Sequence, residues 1–507
     1  MRILFSMRHS GALRNFASTV EELARRGHRI HLTFMMQDKL RDERLLRELT
    51  SAYPGITHGF GEASRRPWLR LARRIRSAAD YARYRAPEYA SATALYDRAA
   101  ARVSPGMQRI VRLPLVRTRT GLRLLTRLLH AVEHAIPPDD GIVELIARET
   151  PDVVLVTPLI ELGSDQVEYV KAARAAGVPC GLCVHSWDNL TNKGLIHVIP
   201  DHVFVWNEAQ RREAVGLHHV PTERVVVTGA PVYDQWFTRR PSTTRQEFCA
   251  KVGLPYGRPF FLYLCSSKFI TPREAEFIKR WIQALRSSGD ARVREAAILV
   301  RPHPRGDNRG LTEFDPHQYP NVVVWPAGGD NPVDQTSRND FFDSLYHAAA
   351  AVGINTSAQI EAGIVGRPVY SIRAREYAAT QEGTLHFHYL LTEHGGLLHM
   401  ADTLDEHVHA LSGSLGRTLD DDKRLENFVE GFVRPHGLGV AATPLLADAV
   451  ERLAQVTVTA VAAAPIWQRV LRSALYRVAM RMRTDRPASA RSTSDPVLEK
   501  KRVGALR

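Results

Sequence analysis

The chain contains two series of short apolar runs, and in each series the runs alternate with stretches of helical periodicity. Apolar runs bounded by turn residues are typical of buried parallel strands, and apolar residues three or four positions apart indicate covering helices. In the first series, strands are predicted at residues 2–7, 29–34, 152–157, 179–185, 202–206 and 224–228. In the second series, strands are predicted at residues 259–265, 296–301, 322–325, 349–354 and 368–372. This alternation predicts an α/β protein with two doubly wound parallel sheets.

Breaks in this alternation divide the 507 residues into segments. At roughly 100–200 residues per domain, a chain of this length is expected to hold two or three domains. The predicted segments are a first domain at 1–237 with a basic helical insertion at about 64–138, a linker at 238–258, a second domain at 259–455, and a basic amphipathic tail at 456–507. The tail is predicted to become disordered towards its end, where no periodicity is left.

Positive charge is concentrated in the insertion and in the tail. Residues 65–127 carry 16 arginines against three acidic residues, and residues 469–507 carry 11 lysines and arginines against three acidic residues. In residues 68–76, 122–129 and 467–481 the arginines alternate with apolar residues at helical spacing. Such helices suit an anionic membrane surface, although a solvated basic face on a helical insertion explains the pattern equally well. Nucleic acid is not an expected partner, because no recognised binding module accompanies the charge.

No apolar run approaches the roughly 18–20 residues that a membrane-spanning helix needs. The first apolar run ends at Arg8 and His9, before the apolar region of a signal peptide could form. We therefore expect a cytoplasmic protein that can lie peripherally on the inner face of the plasma membrane. Cys180 and Cys183 form a C-x-x-C pair, but they fall within a predicted buried strand and lack a second ligand pair, so core packing is the preferred interpretation.

The residues that directly follow predicted strands of the second domain are suited to binding phosphate. Ligands of open α/β sheets bind beyond the carboxyl ends of the strands. Asn355, Thr356 and Ser357 follow one strand and begin a short helix, where hydroxyl and N–H donors could hold a phosphate. Glu361 comes one turn later and could accept hydrogen bonds from ribose hydroxyls. An ordinary helix cap explains the same residues, so this motif alone does not decide between the two interpretations.

A second motif at the same predicted edge strengthens the phosphate interpretation. Arg301 ends a strand and leads into His303, which lies between two prolines that fix the local backbone. A histidine held there can donate to phosphate or protonate a leaving group. Ser266 and Ser267 follow the first strand of the domain and add hydroxyl donors to the same edge.

Together these motifs resemble the second domain of GT-B enzymes, in which two Rossmann-like domains face each other across a cleft. The order Arg-Pro-His-Pro, Asn-Thr-Ser, Glu-Ala-Gly and Gly-Arg-Pro-Val is closest to the clan of CDP-glycerol glycerophosphotransferases, polysialyltransferases and other capsule-type transferases. The resemblance covers about residues 153–453. It implies that His303, Thr356 and Ser357 hold the phosphates of a nucleotide donor and that Glu361 binds its ribose. The donor could carry CDP, CMP, UDP or GDP, and the acceptor would be a cell-envelope glycan or lipid-linked molecule.

The first domain is expected to hold the acceptor and the catalytic base. Glu161 follows one of its predicted strands, and a loop containing His185 and Asp188 follows the next. Asp188 or His185 could deprotonate an acceptor hydroxyl, although the loop is also consistent with a turn that packs Trp187. In the second domain, His386 or His388 could reach the transferred group, and we expect at least one of the two to be structural.

Two other functions are consistent with the fold. Non-hydrolysing UDP-N-acetylglucosamine 2-epimerases share a His-Pro pair, but they typically show an Asp-Ser-Gly-Gly turn where this chain has Asn355-Thr356-Ser357-Ala358. A non-catalytic nucleotide-binding scaffold of a polymer assembly complex would also explain the basic segments. We expect no metal and no other cofactor, because no Asp-x-Asp motif follows a strand in a suitable loop.

Overall fold

The computed structural model describes residues 1–36, 43–61, 68–306, 308, 310, 311, 314, 318–329, 332, 334–415, 423–458 and 465–483. The tail beyond residue 483, where disorder is predicted, lies outside the described residues. Among the described residues, every helix is too short or too polar to span a lipid bilayer.

The first domain is built on a parallel sheet that follows the doubly wound pattern. Its described strands are β1 (Arg2–Met7), β2 (Arg29–Phe34), β3 (Ile56–Phe60), β4 (Val153–Thr157), β5 (Cys180–Cys183), β6 (His202–Val205) and β7 (Val225–Val227). Their order is β3-β2-β1-β4-β5-β6-β7, so the direction of winding reverses between β1 and β4. Strands β4 and β5 are buried at every residue, as expected for continuous apolar runs covered on both faces. Cys180 and Cys183 are buried in β5.

The second domain repeats this topology. Its described strands are β8 (Phe260–Leu264), β9 (Ala297–Arg301), β10 (Val322–Val324), β11 (Ala350–Gly353), β12 (Val369–Ile372) and β13 (Leu398–Ala401). Their order is β10-β9-β8-β11-β12-β13, and all pairings are parallel. The prediction of two doubly wound α/β domains is confirmed, and the sequence analysis missed only the edge strands β3 and β13 among those described.

Helices cover both sheets and form the insertion. The described helices of the first half are α1 (Ala17–Arg25), α2 (Arg44–Ala52), α3 (Trp68–Arg83), α4 (Thr93–Ala100), α5 (Pro105–Arg112), α6 (Pro114–Arg117), α7 (Arg119–Ala135), α8 (Asp140–Glu149), α9 (Val167–Ala176), α10 (Asn189–Asn192), α11 (Glu208–His218) and α12 (Asp234–Thr238). Those of the second half are α13 (Arg245–Val252), α14 (Glu274–Arg286), α15 (Ala291–Arg294), α16 (Gln335–Tyr346), α17 (Ala358–Ile364), α18 (Tyr389–Thr392), α19 (Leu404–Ser414), α20 (Lys423–Val433), α21 (Ala442–Ala454) and α22 (Ile466–Arg483).

Helix α21 returns to the first domain after the second sheet is complete. Its buried residues Leu446, Val450 and Leu453 belong to the core beneath β1, β2 and α1. Arg26 of α1 also donates to Asp448 at 2.6 Å. Although sequence periodicity assigns this helix to the range 259–455, its packing therefore places it on the first sheet.

The insertion connects β3 to β4 as a set of helices, several of which begin with residues that favour a helix N-terminus. Prolines occupy the first positions of α5 and α6, where the missing N–H costs no hydrogen bond, and Thr118 caps α7. Helix α22 of the tail packs on α3, with Trp68 and Tyr476 in ring contact at 5.7 Å. The two basic segments of the sequence are therefore neighbours in the structure.

Helix α3 is not a solvated basic helix. Arg76 is fully buried and pairs with Glu133 at 2.7 Å and with Glu168. Arg73 pairs with Asp165, and Arg70 donates to the backbone carbonyl of Met482 at 2.9 Å. Most arginines in residues 68–76 therefore have partners within the protein, whereas α5–α7 carry six exposed arginines.

Candidate functional site

The carboxyl edges of the two sheets face each other, and loops from the two domains are in contact. Trp187, in the loop after β5, donates its indole N–H to Ser357 Oγ, after β11, at 3.3 Å. Thr191 Oγ1 shares a hydrogen bond of 3.0 Å with His386 Nδ1 of the second domain. The rings of Trp187 and His386 meet edge to face at 4.8 Å. The loops singled out in the sequence analysis are therefore brought together at the switch points of both sheets.

His303 is held as a neutral hydrogen-bond donor at the end of β9. The backbone N–H of Arg305 donates to His303 Nδ1 at 2.9 Å. Burial lowers the pKa of His303 to about 4, and the charges of Arg14 and Arg305 add to this effect. At neutral pH the ring proton therefore lies on Nε2, where it can donate to an oxygen in the cleft.

The three residues of the Asn-Thr-Ser segment make different contacts. Asn355 is buried and donates its side-chain amide to the Thr380 carbonyl at 2.8 Å, which holds the loop in place. The Thr356 backbone N–H donates to Gln359 Oε1 at 3.1 Å. Ser357 is exposed and is the residue that meets the first domain. Of the three, Ser357 presents its hydroxyl most directly to the cleft.

Ser266 and Arg301 lie behind this edge. Ser266 is 1% exposed, and its Oγ accepts from the Asn355 backbone N–H at 3.3 Å. The Arg301 guanidinium is buried, with Asp340 Oδ2 at 3.3 Å and the ring of Phe341 beneath it. These contacts brace the loops from within the domain, and direct contact of either residue with a ligand stays a prediction. Ser267, the next residue after Ser266, is partly exposed.

Glu361 is a partly buried carboxyl group on α17. Burial raises its pKa to about 8, against the opposing charges of Arg14 and Arg301. At neutral pH the group is therefore largely protonated, so it can both donate to and accept from a sugar hydroxyl.

Asp188 is the ionised group of the loop after β5. Burial alone would raise its pKa, but His386 and Lys193 bring the pKa below its ordinary value. Its two carboxylate oxygens accept from the Ser186 hydroxyl and from the Asn192 side-chain amide, which fixes the orientation of the carboxylate. The loop therefore presents an oriented anion rather than a mobile one.

His185 and Glu161 complete the charge distribution beside Asp188. Burial lowers the pKa of His185 to about 3, and the nearby Lys193 contributes to this. Glu161 pairs with Lys193 at 2.9 Å and with Arg8 at 2.8 Å. Burial alone would raise the pKa of Glu161, but Lys193 and Arg8 lower it to about 2. At neutral pH His185 is therefore neutral, whereas Glu161 is ionised and forms ion pairs with Lys193 and Arg8.

The two histidines that follow β12, His386 and His388, lie in different environments. His386 is buried at the domain contact, and burial lowers its pKa to about 4 against the opposing charge of Asp188. His388 is exposed and its Nε2 lies 2.8 Å from the Glu382 carbonyl, away from that contact. That one of the two reaches the transferred group, and that at least one is structural, stay predictions.

Arg14 is a cleft residue that sequence reasoning missed. It lies in the 3₁₀ helix Ser10–Asn15, directly after β1. Its charge lowers the pKa of both His303 and Glu361, although those residues belong to the other domain. The available signal was its position, because β1 borders the switch point of the first sheet.

Comparison with solved structures identifies the arrangement. A glycosyltransferase from Rickettsia africae matches with a TM-score of 0.52 at 10% identity, over 90% of this chain and 99% of that one. Anabaena HepE in complex with UDP matches with a TM-score of 0.50 at 11% identity, over 89% and 100%. A UDP-GlcNAc 2-epimerase from Methanocaldococcus jannaschii gives a TM-score of 0.49 at 13% identity, over 89% and 100%. No family model and no curated protein matches the sequence. The GT-B fold predicted from the sequence is confirmed, while the capsule-transferase clan within it is not.

Proposed function

We propose that the protein is a GT-B transferase that moves a glycosyl or polyol-phosphate group from a nucleotide-activated donor to a cell-envelope glycan or lipid-linked acceptor. The observation that carries the proposal is the 3.3 Å hydrogen bond from Trp187 to Ser357. It brings Trp187, the neighbour of Asp188 in the chain, into contact with the Asn-Thr-Ser segment of the other domain, and this contact supports a site shared by the two domains. A donor bound on one side and a hydroxyl bound on the other would meet between them.

The second domain supplies donors for a leaving phosphate. As the bond from the transferred group to the donor phosphate breaks, negative charge develops on that phosphate. The Nε2–H of His303 and the hydroxyl of Ser357 are fixed donors, and Arg14 adds positive charge from the opposite domain. Groups oriented before the reaction stabilise such charge without reorganisation. HepE was solved with UDP, which makes UDP the first nucleotide to test here.

The first domain supplies the base. Asp188 is ionised and oriented, so it can take the proton of an acceptor hydroxyl as that oxygen attacks the donor. His185 is the alternative, since it is neutral and its Nδ1 has no hydrogen-bond partner among the described residues. Its pKa of about 3 leaves the imidazole neutral at neutral pH, so it too can accept a proton.

Nucleotide titration tests the donor assignment. UDP, CDP, CMP and GDP are titrated calorimetrically into the wild-type protein and into His303→Ala and Ser357→Ala. Each substitution should cost about 1–3 kcal/mol of binding, because each removes a donor to a charged oxygen. The matched controls are the exposed residues His409 and Ser287 of the same domain, each changed to Ala. Unchanged affinity in both cleft variants would remove the donor-site assignment.

Asp188→Asn tests the assignment of the base. The carboxamide keeps the size of the side chain but cannot accept a proton. We expect kcat for transfer to fall strongly while nucleotide affinity changes little, since Asp188 lies across the cleft from the phosphate motifs. An equal loss of nucleotide affinity would instead assign Asp188 to the donor site.

The same assays separate the two alternative functions. An epimerase would convert UDP-N-acetylglucosamine to its manno epimer without any acceptor. A scaffold would bind a nucleotide but transfer nothing to a glycan or lipid-linked acceptor. Transfer that depends on Asp188 is expected only of the transferase.

We infer that the acceptor is reached at an anionic membrane surface. Helices α5–α7 expose Arg109, Arg112, Arg117, Arg119, Arg123 and Arg127. Large apolar side chains lie exposed among them, with Leu115 at 82% and Leu128 at 61%. Helix α22 adds Ile466, Trp467 and Val470 to the exposed apolar residues of the adjoining segment. Apolar insertion combined with arginine–phosphate attraction is the pattern of a helix that lies on a bilayer.

A further inference from the structure

The loop that carries Asp188 is held by arginines of the insertion. Arg83 of α3 is 7% exposed and donates to the carbonyls of Gly194 at 2.8 Å, Lys193 at 3.2 Å and Leu190. Arg98 of α4 donates to the carbonyl of Asn192. Four backbone carbonyls of the segment 190–194 thus accept hydrogen bonds from two guanidinium groups, which are rigid and always charged.

Helix α3 also ties this loop to the neighbouring one. Asp80 is fully buried and accepts from the backbone N–H of Leu195 at 2.7 Å and of Gly163 at 2.8 Å. The two loops approach so closely that a Cβ at Gly194 would lie 2.7 Å from the Glu161 carbonyl oxygen. The ion pair of Glu161 with Lys193 therefore forms between two loops that a single helix fixes.

Arg98 extends the contact to the second domain. Its guanidinium lies 4.7 Å from the ring centroid of Phe269, in the loop after β8. Its charge also adds to the lowering of the His386 pKa, for which burial is the main cause. Arg98 thus contacts the acceptor-side loop through Asn192 and the donor domain through Phe269.

We propose that Arg83 and Arg98 are positioning residues of the acceptor half-site, which hold the segment 190–194 so that Asp188 and Lys193 face the donor. This role rests on the proposed transferase function. It assigns the insertion to the active site, because the backbone of the catalytic loop depends on side chains that the insertion provides. A guanidinium fork can bridge several carbonyls at once, whereas a lysine ammonium is a point charge on a flexible stem.

The test compares Arg83→Met, Arg83→Lys and Arg98→Met with the control Arg102→Met, whose side chain is exposed beyond the end of α4. Amide hydrogen exchange is followed over the full-length protein. We expect exchange in residues 189–195 to accelerate about tenfold in Arg98→Met, which loses one charge-assisted hydrogen bond, and by at least as much in Arg83→Met, which loses three. Arg83→Lys should recover part of this protection. Acceleration spread over the whole first sheet, or none in this segment, would overturn the proposal.

Kinetics distinguishes positioning from a purely structural role. The substrate is the nucleotide sugar whose nucleoside diphosphate binds tightest in the calorimetric panel. We expect kcat to fall about tenfold while the KM for the donor stays within about twofold, since the donor motifs lie in the other domain. Faster exchange with unchanged kcat would overturn the positioning role. If the wild-type protein binds no nucleotide, the proposed function fails, while the exchange experiment still decides whether these arginines hold the loop.

Discussion

The insertion has two halves that are both rich in arginine, but their arginines lie in opposite environments. In α3 and α4 the arginines other than the exposed Arg74 are paired or buried, whereas α5–α7 carry arginines that are exposed. Arg76 meets Glu133 and Glu168, and Arg83 meets backbone carbonyls. Residues 98–132 contain no acidic residue that could pair locally with the exposed set. The environment of an arginine in a basic helix is therefore set by the acceptors on the facing surface, and not by the helix itself.

The largest expected difference between the halves is in stability. Arg76→Met leaves Glu133 and Glu168 buried, with Lys171 as their remaining lysine or arginine partner among the described residues. Removing one partner of a buried ion pair typically costs about 3–5 kcal/mol. The matched change Arg123→Met on the exposed face of α7 should alter the free energy of unfolding by about 0.5 kcal/mol or less. Urea denaturation measures both, and equal effects would contradict the division into two halves.

Binding to anionic membranes should instead depend on the exposed arginines of α5–α7 and not on the paired arginines of α3. Changing Arg117, Arg119 and Arg123 to Gln removes three exposed charges, each worth about 1 kcal/mol at an anionic surface. We expect sedimentation with phosphatidylserine vesicles to weaken about 100-fold or more, and high salt to remove the difference. The control changes Arg273, Arg292 and Arg294 of the second domain to Gln, which alters net charge equally. If both triple variants lose the same affinity, net charge and not this surface attracts lipid.

The smallest expected effect is a pH dependence confined to the buried half. Burial alone would raise the pKa of Glu133, but Arg76 and Lys171 lower it from 4.5 to about 2. The stabilisation from this lowered pKa is complete above about pH 4.5 and is lost as the pH falls towards 2. Between pH 5 and pH 3 it should account for about 2 kcal/mol of the free energy of unfolding. As the pH is lowered, the urea concentration at the unfolding midpoint should therefore fall less steeply in Arg76→Met than in Arg123→Met. Equal pH dependence in the two variants would contradict the ion pair between Arg76 and Glu133.

The strands that could be predicted from sequence are those formed by continuous apolar runs, and they include the edge strands β7 and β10. β4 and β8 appear as uninterrupted apolar runs, because helices cover both sides of the sheet at those positions. The edge strands β3 and β13 were missed, since the histidine and glycine of β3 and the histidine of β13 break the apolar run. The domain range 259–455 included α21, but the sequence does not show which of the two sheets this helix contacts.

In the candidate site, too, some residues could be predicted from the sequence and others could not. His303 and Ser357 could be singled out because they follow apolar runs directly, within short motifs. The support from Arg83 and Arg98 could not, because an arginine in a helix has the same local pattern whether it meets solvent or a distant carbonyl. The membrane interpretation of residues 68–76 followed from that ambiguity, and the partners of Arg73 and Arg76 resolve it.

The packing of α21 on the first sheet has a consequence for folding during synthesis of the chain. The core of the first sheet includes Leu446, Val450 and Leu453, which leave the ribosome only after the whole second sheet. The roughly 200 residues between β7 and α21 take about 10–40 s to synthesise at about 5–20 residues per second. Throughout that interval the nascent first domain carries an uncovered apolar groove. The domain made first is thus the one completed last, and a chain that ends before residue 442 would retain that groove permanently.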